Sequence, residues 1–150
     1  MIEYIIGSKL LASLAPKITD GVINLLRDVT DECKQAIRDD IYAYIGNFVE
    51  KYSKIKTFLF CEERRDFYDV YFPLSLEGRN KEMQVPDNPD ELFAEHNFIT
   101  LLGHAGCGKT MILRHLFLSA CNKSSKIPLV IELRKLKGFD GSFKDFVADK

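Results

Sequence analysis

The residues most able to do chemistry are Gly103-His104-Ala105-Gly106-Cys107-Gly108-Lys109-Thr110. They match GxxxxGK[ST] at every fixed position, the pattern of a phosphate-binding loop. The residue types follow from the charge of a triphosphate. A loop that wraps one must turn many backbone N–H groups inward, and Gly103, Gly106 and Gly108 permit that without a Cβ in the way. A helix opening near Lys109 adds the positive end of its dipole. Lys109 is expected to reach the β- and γ-phosphates as a mobile point charge. Thr110 is expected to offer its hydroxyl to Mg²⁺, which keeps most of its waters and bridges phosphate oxygens. His104, Ala105 and Cys107 fill the variable positions and belong to the same cradle through their backbone. No base-and-orienter pair makes His104 or Cys107 a catalytic nucleophile. The string arises by chance in under about 1% of chains of this length.

Such a loop needs a strand before it and a helix after it. Phe98-Ile99-Thr100-Leu101-Leu102 reads as the strand, and Met111 to Leu118 as the helix. After a polar turn at Asn122–Lys126, Ile127-Pro128-Leu129-Val130-Ile131-Glu132-Leu133 reads as a second strand. The pattern predicts an α/β fold: an N-terminal helical segment, then the opening βαβ part of a parallel-sheet NTPase domain. The boundary falls at residues 1–54 and 55–150. A single βαβ unit does not cover both faces of a parallel sheet, so the domain reads as incomplete.

In the first segment, Ile18, Val22, Leu25, Leu26 and Val29 form one apolar stripe. A second helix carries Ile37, Ile41, Tyr44, Ile45, Phe48, Val49 and Tyr52 on one face, with Thr30-Asp31-Glu32 as its start. An earlier helix holds Ile2 to Leu14 and stops near Pro16. Thr57 to Phe60 is a short apolar run, and from Phe67 to Leu76 aromatic and β-branched residues predict a strand, its second half demoted by Pro73 to an edge strand or a bend. Asn88-Pro89-Asp90-Glu91 reads as N-cap, first-position proline and acidic first turn of a short helix running to about His96. Ser142-Phe143-Lys144-Asp145 reads as another helix start.

Composition limits the partners. The 150 residues carry a net charge of −1 and are 46% hydrophobic, which excludes a disordered or collagen-like chain and gives no global pull toward nucleic acid. No stretch approaches the roughly 18 apolar residues of a membrane span. The N-terminus lacks the basic region of a signal peptide. The four cysteines have no CxxC spacing, and no Cys/His cluster has zinc-ligand spacing. Reduced thiols and a cytoplasmic location are the expectation. His115 is expected on the helix surface and His96 in a loop. The pair Arg64-Arg65 beside Glu62-Glu63 reads as a solvated charged turn.

Hydrolysis in this fold needs a strand-end acid to support Mg²⁺. Glu132 is the one candidate, but Leu133-Arg134 follows it where a second acid would stand. No catalytic residue is assigned, and turnover by this chain alone is not expected.

The run ITLLGHAGCGKTMILRHLF, followed by IPLVIELRKLK, resembles the start of a NACHT domain, found in signalling NTPases of the STAND class. The lead-in FYDVYFPLSLE is similar to that of bacterial members, so the resemblance spans Thr57 to Lys150. It implies an ATP-binding (or GTP-binding) switch with Mg²⁺ inside a longer sensor protein. Nucleotide state would control homo-oligomerisation and an effector domain, in bacteria often against phage. Gly103, Gly106, Gly108, Lys109 and Thr110 carry over as nucleotide-binding. The alternatives are another P-loop class, an AAA-type ATPase or a kinase, or a helical interaction module with an inactive loop.

Overall fold

The computed structural model describes residues 31–56, 63–78, 82–94, 96–124, 126–137 and 140–141. The expected helices within residues 1–30, the run Thr57–Phe60 and the helix start at Ser142 lie outside these residues, as do Glu62 and Cys61.

Helix α1 spans Asp31–Ser53. Its apolar residues recur every three or four positions, so they share one face. Ile45 and Val49 are buried, Tyr52 closes the same face, and Ile37, Ile41, Tyr44 and Phe48 pack at its margin. The chain then forms β1 (Lys54–Ile55), which pairs antiparallel with β2 (Arg65–Asp66) in the register Lys54↔Asp66 and Ile55↔Arg65. A single helical turn, α2, follows at Phe67–Val70. Strand β3 (Ser75–Glu77) pairs antiparallel with β4 (Glu82–Gln84), and the Val85 N–H extends the ladder to the Leu74 carbonyl at 3.0 Å. The expected strand over Phe67–Leu76 is therefore realised only at its end. Phe67 is 1% exposed, and curling the chain at Phe67–Val70 drives that ring into the core and stacks Tyr71 on it at 5.0 Å.

Helix α3 covers Pro89–Leu92. The Asn88 side chain accepts the Asp90 N–H at 3.1 Å, as the sequence pattern required, but the helix ends before His96. Helix α4 runs from Lys109 to Lys123, and a 3-10 turn spans Leu133–Leu136.

The core lies where α1 meets α4. Phe117, Leu118 and Cys121 pack with Ile45, Val49, Tyr52 and Phe67. Tyr52 meets Phe117 edge-on at 5.4 Å and Phe48 edge-on at 5.4 Å, the favoured geometry for aromatic quadrupoles. The Arg114 guanidinium lies 5.5 Å from the Tyr52 ring and donates to the Lys54 carbonyl at 3.4 Å, tying α4 to the end of α1.

The parallel sheet of the expected βαβ unit is absent among the described residues; both sheets have two antiparallel strands. Phe98–Leu102 forms no ladder, with Phe98 95% and Leu102 89% exposed. Ile127–Glu132 likewise forms no strand, and Leu133 begins the 3-10 turn. A parallel strand is stable only between neighbours and under helices on both faces, and among the described residues neither run has that cover. The Ile127–Glu132 run is held by α1 instead. The Tyr44 hydroxyl accepts the Val130 N–H and donates to the Val130 carbonyl at 3.1 Å, the two bonds a neighbouring strand would supply. Burial raises the Tyr44 pKa, and its bond to Val130 opposes that shift. Lys51 reaches Glu132 at 2.6 Å.

No helix among the described residues is long and apolar enough to cross a membrane.

Truncating Phe67 to Ala should destabilise the chain by about 3–5 kcal/mol. Phe72→Ala, at an 81% exposed position, should change stability by no more than about 0.5 kcal/mol. Urea unfolding followed by far-UV circular dichroism measures both.

Candidate functional site

The loop Gly103–Thr110 is built onto the first turn of α4. Ala105 and Gly106 form a turn, closed by the Cys107 N–H donating to the His104 carbonyl at 3.4 Å. Gly106 has φ +81° and Gly108 has φ +89°, the left-handed region in which a side chain is strained. These are the only positive-φ residues among those described. Two such residues within three positions bend the backbone sharply, the kind of conformation from which anion-binding nests of N–H groups are built. Gly108 caps α4, and the first helical bond runs from the Ile112 N–H to the Gly108 carbonyl at 3.0 Å. The N–H groups of the first turn then have no acceptor within the helix, the general feature that suits a helix N-terminus to an anion.

Space imposes a second demand for glycine. A Cβ on Gly108 would stand 2.6 Å from Leu74 Cδ1, and one on Gly103 would stand 2.5 Å from Cys107 Sγ. Leu74 therefore backs the loop from the β3–β4 hairpin. Sequence patterning marked Leu74 only as strand, and no local signal ties it to a glycine 34 positions away.

The Lys109 amine folds back across the loop. It donates to the Gly103 carbonyl at 2.8 Å and to the His104 carbonyl at 2.6 Å, and lies 3.5 Å from Cys107 Sγ. Its charge is held against two loop carbonyls, where a stronger anionic acceptor would compete for it. Gly103 to Cys107 and Thr110 are exposed, while Gly108 and Lys109 are half-buried.

The rest of the site differs from the sequence reading. His115 is 2% exposed and not on the helix surface. It stacks on Tyr71 at 4.6 Å and 11°, and Nε2 lies 3.3 Å from the Pro86 carbonyl. A carbonyl only accepts, so Nε2 carries a proton; Nδ1 lies 3.4 Å from the Tyr68 hydroxyl. Burial raises the pKa of both Tyr68 and Tyr71. Asp87 lies 4.0 Å from His115 and 3.0 Å from Lys123, and the hydrogen bond from Lys123 lowers its pKa. This cluster fastens the lead-in segment, and with it Leu74, to α4. The acid candidate Glu132 pairs with Lys51 at 2.6 Å and Arg134 at 2.9 Å. His96 is exposed outside the helices, as expected. Among the described residues, no group of three or more His, Cys, Asp or Glu is placed to hold a metal ion.

No known family, no curated protein and no solved structure matches this chain.

Gly108→Ala should cost about 1–2 kcal/mol through its left-handed backbone alone. Adding Leu74→Ala should relieve the 2.6 Å clash but not the backbone strain, so the double variant should lose less than the two single losses combined. A double-mutant cycle of denaturant midpoints reads this directly.

Proposed function

We propose that the loop Gly103–Thr110 binds a nucleoside triphosphate, ATP or GTP, with Mg²⁺. The observation that supports this most is the combination of two positive-φ glycines, a helix opening at Lys109 and the Lys109 amine held over the loop. The donor set suits a polyphosphate: backbone N–H groups, one ammonium and the dipole of a 15-residue helix. In this reading, Lys109 exchanges the Gly103 and His104 carbonyls for phosphate oxygens. Thr110, at the second helical position and exposed, is the hydroxyl on offer to the metal. Mg²⁺ bound with the nucleotide would neutralise phosphate charge and bridge phosphate oxygens. The reading is one of binding rather than turnover, because Glu132 is engaged by two cations.

The wider role is that of a NACHT-like signalling NTPase, with oligomerisation and effector and sensor domains in a longer protein, in an anti-phage setting. It draws on the sequence resemblance over Thr57–Lys150. Competition between phosphate and loop carbonyls for one lysine is the physical basis of the switch.

Lys109→Ala should weaken binding of ATP with Mg²⁺ by about 10- to 100-fold in calorimetry, the loss of a charge-assisted contact. Lys126→Ala, an exposed lysine outside the loop, should leave affinity unchanged. Equal affinity in Lys109→Ala and the native chain would overturn the proposal.

A further inference from the structure

The phosphate loop contains two nucleophiles in contact. The Cys107 sulfur lies 3.5 Å from the Lys109 amine, and Cys107 is exposed to small reagents. The sulfur also lies over Gly103, 2.5 Å from where a Cβ there would stand, so it faces the same space as the lysine. Lys109 is fixed in that place by two carbonyls. Cys121, by contrast, is fully buried in the core.

We propose that Cys107 and Lys109 form a reversible oxidative crosslink that switches the loop off. The oxidant is a hydroperoxide. The Cys107 thiol gives two electrons to the O–O bond, which breaks; the sulfur becomes a sulfenic acid, and hydrogen peroxide leaves one water. Lys109 releases its ammonium proton to solvent, and its nitrogen lone pair attacks the sulfur. An S–N bond forms, the S–O bond breaks, and the departing hydroxide takes an amine proton to become a second water. Two thiols of a small reductant reverse the link, restoring thiol and amine and leaving one disulfide. The sulfenamide consumes the lysine charge and ties the loop across its concave side. The chemistry of the link rests on the geometry of the pair; its effect on nucleotide rests on the reading given above.

Treating the 150-residue chain with hydrogen peroxide and mapping peptides by mass spectrometry tests it. The expected product joins the Cys107 and Lys109 positions and is lighter than the reduced pair by two hydrogen atoms. It should vanish with dithiothreitol and be absent in Cys107→Ser and Lys109→Arg. Each protein is compared with its own untreated sample for ATP affinity. The native chain should lose about tenfold on oxidation, as expected for loss of the lysine contact, and recover on reduction, whereas Cys107→Ser should not change. Oxidation of Cys107 only to sulfinic acid or to a disulfide, with Lys109 unmodified, would overturn the crosslink. A link that forms equally fast with and without ATP and Mg²⁺ would support the chemistry and overturn the reading that nucleotide engages Lys109.

Discussion

The packing of α4 against α1 is the contact on which the rest depends. Phe117, Leu118 and Cys121 are sealed against Ile45, Val49, Tyr52 and Phe67. Each large side chain so buried contributes roughly 1.5–3 kcal/mol, so the cluster outweighs any single polar contact in the chain. That packing fixes the axis of α4, and the axis fixes where Lys109 begins. For the proposed binding of phosphate by backbone N–H groups, the right glycines gain little if the helix behind them can tilt. The second support comes from the lead-in segment, where Phe67 enters the core and Tyr71 stacks on His115. Leu74 is thereby set against Gly108 from the opposite side.

The polar contacts have a different task. Lys51 and Arg134 meet a half-buried Glu132 from the surface, and Lys123 meets an exposed Asp87, so solvent screens all three pairs and each contributes little. Arg134–Glu132 is local, while Lys51–Glu132 and Lys123–Asp87 set register between segments that the core leaves loosely specified. Tyr44 does this more exactingly, meeting both backbone groups of Val130. The result is an apolar run read as a strand but held by a helix side chain.

The site was more legible in the sequence than the fold around it. The need for glycine at Gly106 and Gly108 is local: a tight reversal demands positive φ whatever surrounds it, so spacing alone revealed it. Helix α1 was legible for a similar reason, since its stripe repeats from Ile37 to Tyr52 and its buried face follows that stripe. The strands at Phe98–Leu102 and Ile127–Glu132 were not, because a strand depends on what pairs with it, and an apolar run does not specify its neighbour. His115 was misplaced because α4 is buried around much of its circumference. Ile112, His115 and Ser119 lie on one side and Phe117, Leu118 and Cys121 on another, so a one-faced helix pattern misassigns the histidine. Leu74 was invisible because its contact with Gly108 belongs to tertiary structure.

The proposed binding mode gathers backbone N–H groups of this loop around a polyphosphate. Titrating the isotopically labelled chain with ATP and Mg²⁺, and following amide resonances by NMR, tests it most directly. The amides of Gly106, Cys107, Gly108, Lys109 and Thr110 should shift together and saturably, while those of Phe67 and Cys121 stay in place. Unmoved loop amides at saturating nucleotide, or shifts centred away from the loop, would contradict the account.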